Sequence, residues 1–212
     1  MGLAICVGVL AKQDDEEGAA WLADGFAAIN AVLAEEGLPA HEEPQSLPPL
    51  VSRAQIDGFP YSFLHYLRRA YARRKADPGW VAMPLADGVD PGEDEALQAE
   101  YDDLSSHLVC HSDAEGFYVP VDFAEVLFAS DEDVALPGGM LGSSYRLMEE
   151  LILVAPALGI QLEQGKLSDA EAARIAESGE EEEGCYRELE TWLLMFECAR
   201  LSLEHKTAIM FS

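Results

Sequence analysis

Apolar residues along this chain switch repeatedly between strand-like runs and helical spacing. Residues 3–11 are short and apolar and end at Lys12 and the acidic Asp14-Asp-Glu-Glu17, the pattern of a buried strand. Trp21, Leu22, Ile29, Val32 and Leu33 then recur at helical spacing, with Gly37 as the stop. Phe63, Leu64, Leu67 and Tyr71 form the stripe of a second helix from Pro60 to Lys75. Trp80 to Pro84 reads as a short strand cut off by its proline. Leu108 to Cys110 and Phe117 to Val121 predict two strands joined by a turn from His111 to Gly116, with Pro120 placing the second near a sheet edge.

Downstream, a helix is predicted from Ser143 or Ser144 to about Ala155, and Ser168-Asp-Ala-Glu171 has the spacing of a capping box. A long final helix from Tyr186 to about His205 carries Leu189, Trp192, Leu193, Phe196 and Leu203 on one face. The stretches between read as loops: Pro44 to Pro49, the Gly/Pro/acidic residues 86–96, and Pro137-Gly-Gly139. No internal repeat and no long linker divides the chain. Helices and short strands mix without regular alternation, which predicts a single α+β domain over residues 1–212, a short and mostly antiparallel sheet packed against several helices.

Charge changes the picture more than any motif does. The 212 residues carry 40 acidic and 13 basic side chains, a formal charge of -27, yet 49% hydrophobic content excludes wholesale disorder. Between Lys75 and Arg146 there is no lysine or arginine, against sixteen aspartates and glutamates. Half of these fall from Asp87 to Asp103. A segment this one-sided either sits solvated or meets a positive partner. Asp87, Asp90, Glu93, Asp94, Glu95, Asp102, Asp103, Asp131, Glu132 and Asp133 are the candidate partner-binding residues. Nucleic acid and anionic membranes are poor partners for a chain so short of Lys and Arg.

The first eleven residues lack a preceding basic stretch and are too short for a signal peptide, and no run is long enough to span a bilayer. Cys6, Cys110, Cys185 and Cys198 show no paired spacing, so reduced, buried thiols in a cytoplasmic protein are expected. No cofactor is implied.

Candidate chemistry centres on His107-Leu-Val-Cys-His111-Ser-Asp113-Ala-Glu115. On a strand, His107, His111, Asp113 and Glu115 would share one side. His107, His111 and Asp113 would then suit a divalent metal, or His111, Asp113 and Glu115 acid/base work. The competing reading, which we prefer, is a turn, because a chain that must reverse direction cannot keep all four in line. Arg68, Arg69 and Arg73, with Arg74 and Lys75, cluster on the second helix. They form an anion site, or else an internal counter-ion patch with a favourably charged helix C-terminus.

The segment Cys110-His-Ser-Asp-Ala-Glu-Gly-Phe-Tyr-Val-Pro-Val-Asp-Phe123 resembles one found in uncharacterised bacterial proteins. The resemblance covers about fourteen residues and implies a bacterial cytoplasmic origin without implying an activity.

Two functional expectations follow. The first is an acidic binding protein that docks a basic protein partner, such as an immunity protein that neutralises a bacterial toxin; nucleic-acid mimicry, with carboxylates standing in for phosphates, is a variant of it. The second is a small metal-dependent or acid/base enzyme built on His107, His111, Asp113 and Glu115.

Overall fold

The computed structural model of the chain describes residues 2–86, 88–129, 135–180 and 182–212. Its centre is a mixed sheet whose strands alternate side chains between two cores. β1 (Gly2–Val7) pairs antiparallel with β2 (Gly58–Pro60) and with β8 (Ile209–Phe211). β3 (Gly116–Val119) runs antiparallel to β8 and parallel to β5 (Met140–Ser143), and β4 (Leu127–Phe128) closes the far edge antiparallel to β5. The order is therefore β2-β1-β8-β3-β5-β4, with a separate hairpin of β6 (Leu162–Glu163) and β7 (Lys166–Leu167).

The two faces have different partners. Leu3, Ile5, Val7, Tyr118, Ile209 and Phe211 point into the larger core, while Phe117, Val119 and Leu141 point into a smaller one. The smaller core is covered by α1 (Glu16–Glu35) through Leu22, Phe26, Ile29, Val32 and Leu33. The larger is filled by α2 (Tyr61–Ala76), α5 (Ser144–Val154), α6 (Asp169–Glu180) and α7 (Tyr186–His205). Covering both faces explains why every residue of β3 is buried. The described residues thus form a single α+β domain with a mostly antiparallel sheet, as the sequence pattern predicts. None of their helices is long and apolar enough to cross a membrane.

α7 is the hub. Trp192 to Ala199 are buried without interruption, so the helix is enclosed on all sides rather than along one stripe, and Leu203 is only half-buried. The Trp192 indole stacks on Phe196 at 4.6 Å between centroids and donates to the Leu151 carbonyl at 2.8 Å.

Several local expectations need correction. Leu108 to Cys110 do not form a strand. His107–Cys110 make one helical turn, α4, because Ser106 Oγ accepts from Val109 N at 3.0 Å and the Glu150 carboxylate accepts the free amides of His107 and Leu108 at 2.9 and 2.6 Å. Trp80 to Pro84 have no strand partner; Ala82 N donates instead to Ala157 O at 2.8 Å. The acidic stretch after residue 94 is helical, α3 (Glu95–Asp103), capped by Asp94. The expected loop Pro137-Gly-Gly139 is a single tight turn that leads directly into β5. Gly138 turns the chain at φ 72, and the missing side chain of Gly142 lets β5 pack directly on the Tyr118 ring. Ser143 then caps α5. In the expected capping box, Ser168 Oγ does accept from Glu171 N at 3.1 Å, but the Glu171 carboxylate turns to Gln161 N and Arg174.

Candidate functional site

The acidic segment is organised by the basic face of α2. Asp94 precedes α3, accepts from Ala96 N at 3.0 Å, and takes Arg69 Nε and Arg73 Nε at 2.9 Å each. Its side chain is only 6% exposed. Burial pulls the Asp94 carboxyl upward, but the bonds from Arg73, the Ala96 amide and Arg69 hold it below its ordinary value. One turn further, Lys75 Nζ reaches Glu100 at 2.8 Å and Asp103 at 3.6 Å. Leu97 is the single buried apolar residue of α3. These contacts fasten the helix by its inner side, and Asp90, Glu93, Glu95, Asp102 and Asp103 remain exposed.

Among the expected docking residues Asp94 therefore faces inward, as a counter-ion and helix cap. Asp87, Asp131, Glu132 and Asp133 lie outside the described residues. The expected anion site is filled by the protein's own groups. Arg69 and Arg73 hold Asp94, and buried Arg68 donates to Leu108 O at 2.8 Å and His111 O at 2.6 Å while pairing with Asp113. Placed there, the three arginines act as an internal counter-ion patch.

The histidine–carboxylate constellation does not converge. His107 is buried, its Nδ1 accepting from Ser143 N at 2.9 Å and its Nε2 lying 3.3 Å from Ala124 O, an arrangement that suits the neutral ring. His111 stacks on Tyr118 at 4.1 Å, with its two nitrogens each 3.1 Å from a carbonyl, of Ser112 and Phe117. Burial pushes both imidazoles down to about 4. Asp113 pairs with Arg68 and lies 3.4 Å from His65, and Glu115 points to solvent. Once α4 is a helix, the face-sharing of a strand is lost. Among the described residues no three His, Cys, Asp or Glu gather as a metal site. The cysteines are unpaired, and burial raises the thiols of Cys110, Cys185 (to about 11) and Cys198 (to about 12).

Cations are neutralised elsewhere too. Fully buried Glu197 accepts from Arg53 Nε at 3.0 Å and Arg200 Nη2 at 2.8 Å; Arg146 lies 2.9 Å from both Asp122 and Glu149, and Arg174 2.7 Å from Glu171. With Arg68, Arg69, Arg73 and Lys75, eight of the thirteen lysines and arginines are tied to carboxylates of the same chain. The remaining exterior field is overwhelmingly negative. It also covers the opposite layer, where α1 and its approach expose Asp14 to Glu17 and Asp24. The sequence reading assigns that run only to the end of a strand. Its signal was the charge run itself, placed before a helix whose apolar stripe leaves the other side wet.

Fold and surface together define an acidic α+β protein in which most cations are engaged by carboxylates of the same chain and the exposed charge is mostly negative. The chain belongs to the family described as "Putative DNA-mimic protein", whose model matches residues 1–211. No curated protein and no solved structure matches it. Membership in a family described by DNA mimicry corrects the expectation of a toxin-immunity protein with a basic partner from a toxin system, and equally the enzymatic alternative on His107, His111, Asp113 and Glu115.

Proposed function

We propose that the protein is a DNA mimic that occupies the DNA-binding surface of a DNA-binding protein. The observation that carries this reading is the whole-length family match, joined to an exterior on which most cations are tied to carboxylates of the same chain. B-DNA presents one negative charge per about 1.7 Å of its axis. A protein imitates such a field only if its own lysines and arginines do not interrupt it. On α3, Glu95 and Asp102 are seven residues apart on the outer side, about 10 Å along the axis, which equals the rise of about three base pairs. Asp90, Glu93 and Asp103 flank them. We assign these five carboxylates to docking and Asp94 to holding the helix in place.

The chain itself competes with nucleic acid rather than binding it, since like charge repels it from phosphate. With such a partner we assign the protein to the cytoplasm, a reading supported by its four unpaired cysteines. The test is elution. Proteins of the source cells retained on immobilised duplex DNA at low salt are washed with the purified chain, and the eluate is identified by mass spectrometry. Release of a discrete DNA-binding protein that then forms a complex with the chain is expected. If every retained protein stays on the DNA at concentrations of the chain far above those of the immobilised sites, the reading is wrong.

A further inference from the structure

The acidic segment is not uniformly polar: beside the edge strand β4 it borders an open hollow of about 460 Å³ with a mostly apolar wall. We propose that this hollow receives an apolar side chain projecting from a basic surface. The partner would then be a DNA-binding protein of the kind that wedges such a side chain between base pairs. The inference rests on the DNA-mimic reading and narrows it to one class of partner.

Three observations support it. First, Leu104 ends α3 in the left-handed conformation at φ 54, a position that ordinarily takes Gly or Asn. The residue is 52% exposed, so burial does not offset the strain. Second, Phe128 stands 44% exposed on β4, the last strand of the sheet, and faces the same hollow as Leu104, Tyr101, Val109 and Met140. Third, the rim carries carboxylates. No lysine or arginine lines the hollow; Asp113, which pairs with Arg68, does, and the exposed Asp102 lies two residues before Leu104.

A duplex offers the same combination to proteins that bend it: an apolar gap between unstacked bases, bordered by phosphates. Such proteins insert Phe, Leu, Ile, Met or Pro and flank the wedge with Arg and Lys. A cavity of about 150 Å³ already accepts a benzene ring, so the hollow has room for any of these. A reader of the major groove that projects only polar side chains would leave the apolar wall wet and gain nothing from it.

The experiment uses the full chain and purified integration host factor, an architectural protein that bends DNA, compared with the same protein whose inserting side chains are cut to Gly. Affinities are measured by biolayer interferometry over a series of salt concentrations. Two variants of the chain remove the wall. Leu104→Asn suits the left-handed backbone and so preserves the fold, and Phe128→Ser changes an exposed edge residue. The expected result is binding of the intact wedge protein, weakened about tenfold by either variant or by cutting the wedge, through faster dissociation and with an unchanged salt slope. Equal affinity for both wedge forms, or no effect of Leu104→Asn and Phe128→Ser, overturns the pocket assignment while leaving DNA mimicry in place. No binding of either form at low salt overturns the narrowed partner class; the elution from duplex DNA described above then judges mimicry separately.

Discussion

Arg69 Nε donates to Asp94 Oδ2 at 2.9 Å across the junction of α2 and α3. The bond turns one carboxylate of an acidic run inward while its neighbours Glu93 and Glu95 stay in solvent. Adjacent carboxylates therefore have opposite jobs. Asp94→Ala removes the counter-ion of two arginines and the cap of α3, and should cost about 1–3 kcal/mol of stability. Glu93→Gln and Glu95→Gln should change stability by less than about 0.5 kcal/mol. Urea denaturation of the three variants checks this, and equal midpoints for all of them would remove Asp94 from its structural role.

The long helices were legible because burial repeats along them. Phe63, Leu64, Leu67 and Tyr71 mark α2, and the pattern from Leu189 to Phe196 marks α7, each to within a residue or two of its observed ends. α3 was not legible, since Leu97 alone is buried and one apolar residue makes no stripe. Four residues at His107–Cys110, three of them apolar, are too few for periodicity to choose between strand and helix, and the deciding Glu150 carboxylate lies about forty positions away. β8 is three residues long and gains its place in the middle of the sheet only from β1 and β3. The acidic field was plain in the sequence. Which carboxylates point outward was not, because that depends on the pairing of α2 with α3.

Trp192 joins the core to the α5 backbone, stacking on Phe196 and donating to Leu151 O. Trp192→Ala should destabilise the protein by about 3–5 kcal/mol, the cost of a large cavity at a site with little freedom to collapse. A chain ending at Gly184 loses α7 and β8 together and should not fold cooperatively. Circular dichroism melts of both variants give the answer, and a sharp transition in the truncated chain would deny α7 its central role.

The buried ionisable groups predict opposing pH dependences. His107 and His111 are held down to about 4 against an ordinary 6.5, so the unfolded chain binds more protons between those values. Their contribution to stability therefore rises with pH from about 4 to 6.5. Burial pushes the Glu150 carboxyl up to about 7 even though the Leu108 and His107 amides pull it down. Between 4.5 and 7 the folded chain keeps this proton, so the Glu150 contribution falls as pH rises, by up to about 1.4 kcal/mol per pH unit. Glu150→Gln removes only that second term. The stability of the variant relative to the native chain should improve steadily from pH 4.5 to 7. A constant difference across that window would show that Glu150 does not titrate there.

The outward carboxylates of α3 should control how quickly a partner arrives. Opposed charge accelerates encounter, and salt suppresses the effect within a screening length of about 10 Å at 0.1 M. Glu93→Gln, Glu95→Gln and Asp102→Asn together remove three charges from the proposed docking face without touching Asp94. Association with the DNA-binding partner should slow about tenfold at low salt, with a shallower dependence on ionic strength and nearly the same melting temperature. Glu163→Gln, Glu182→Gln and Glu183→Gln remove the same net charge from exposed positions elsewhere. Stopped-flow measurement of both triple variants separates a placed surface from bulk charge. A local surface slows only in the first variant, and equal slowing in both would mean that net charge, rather than the face built on α3, steers the encounter.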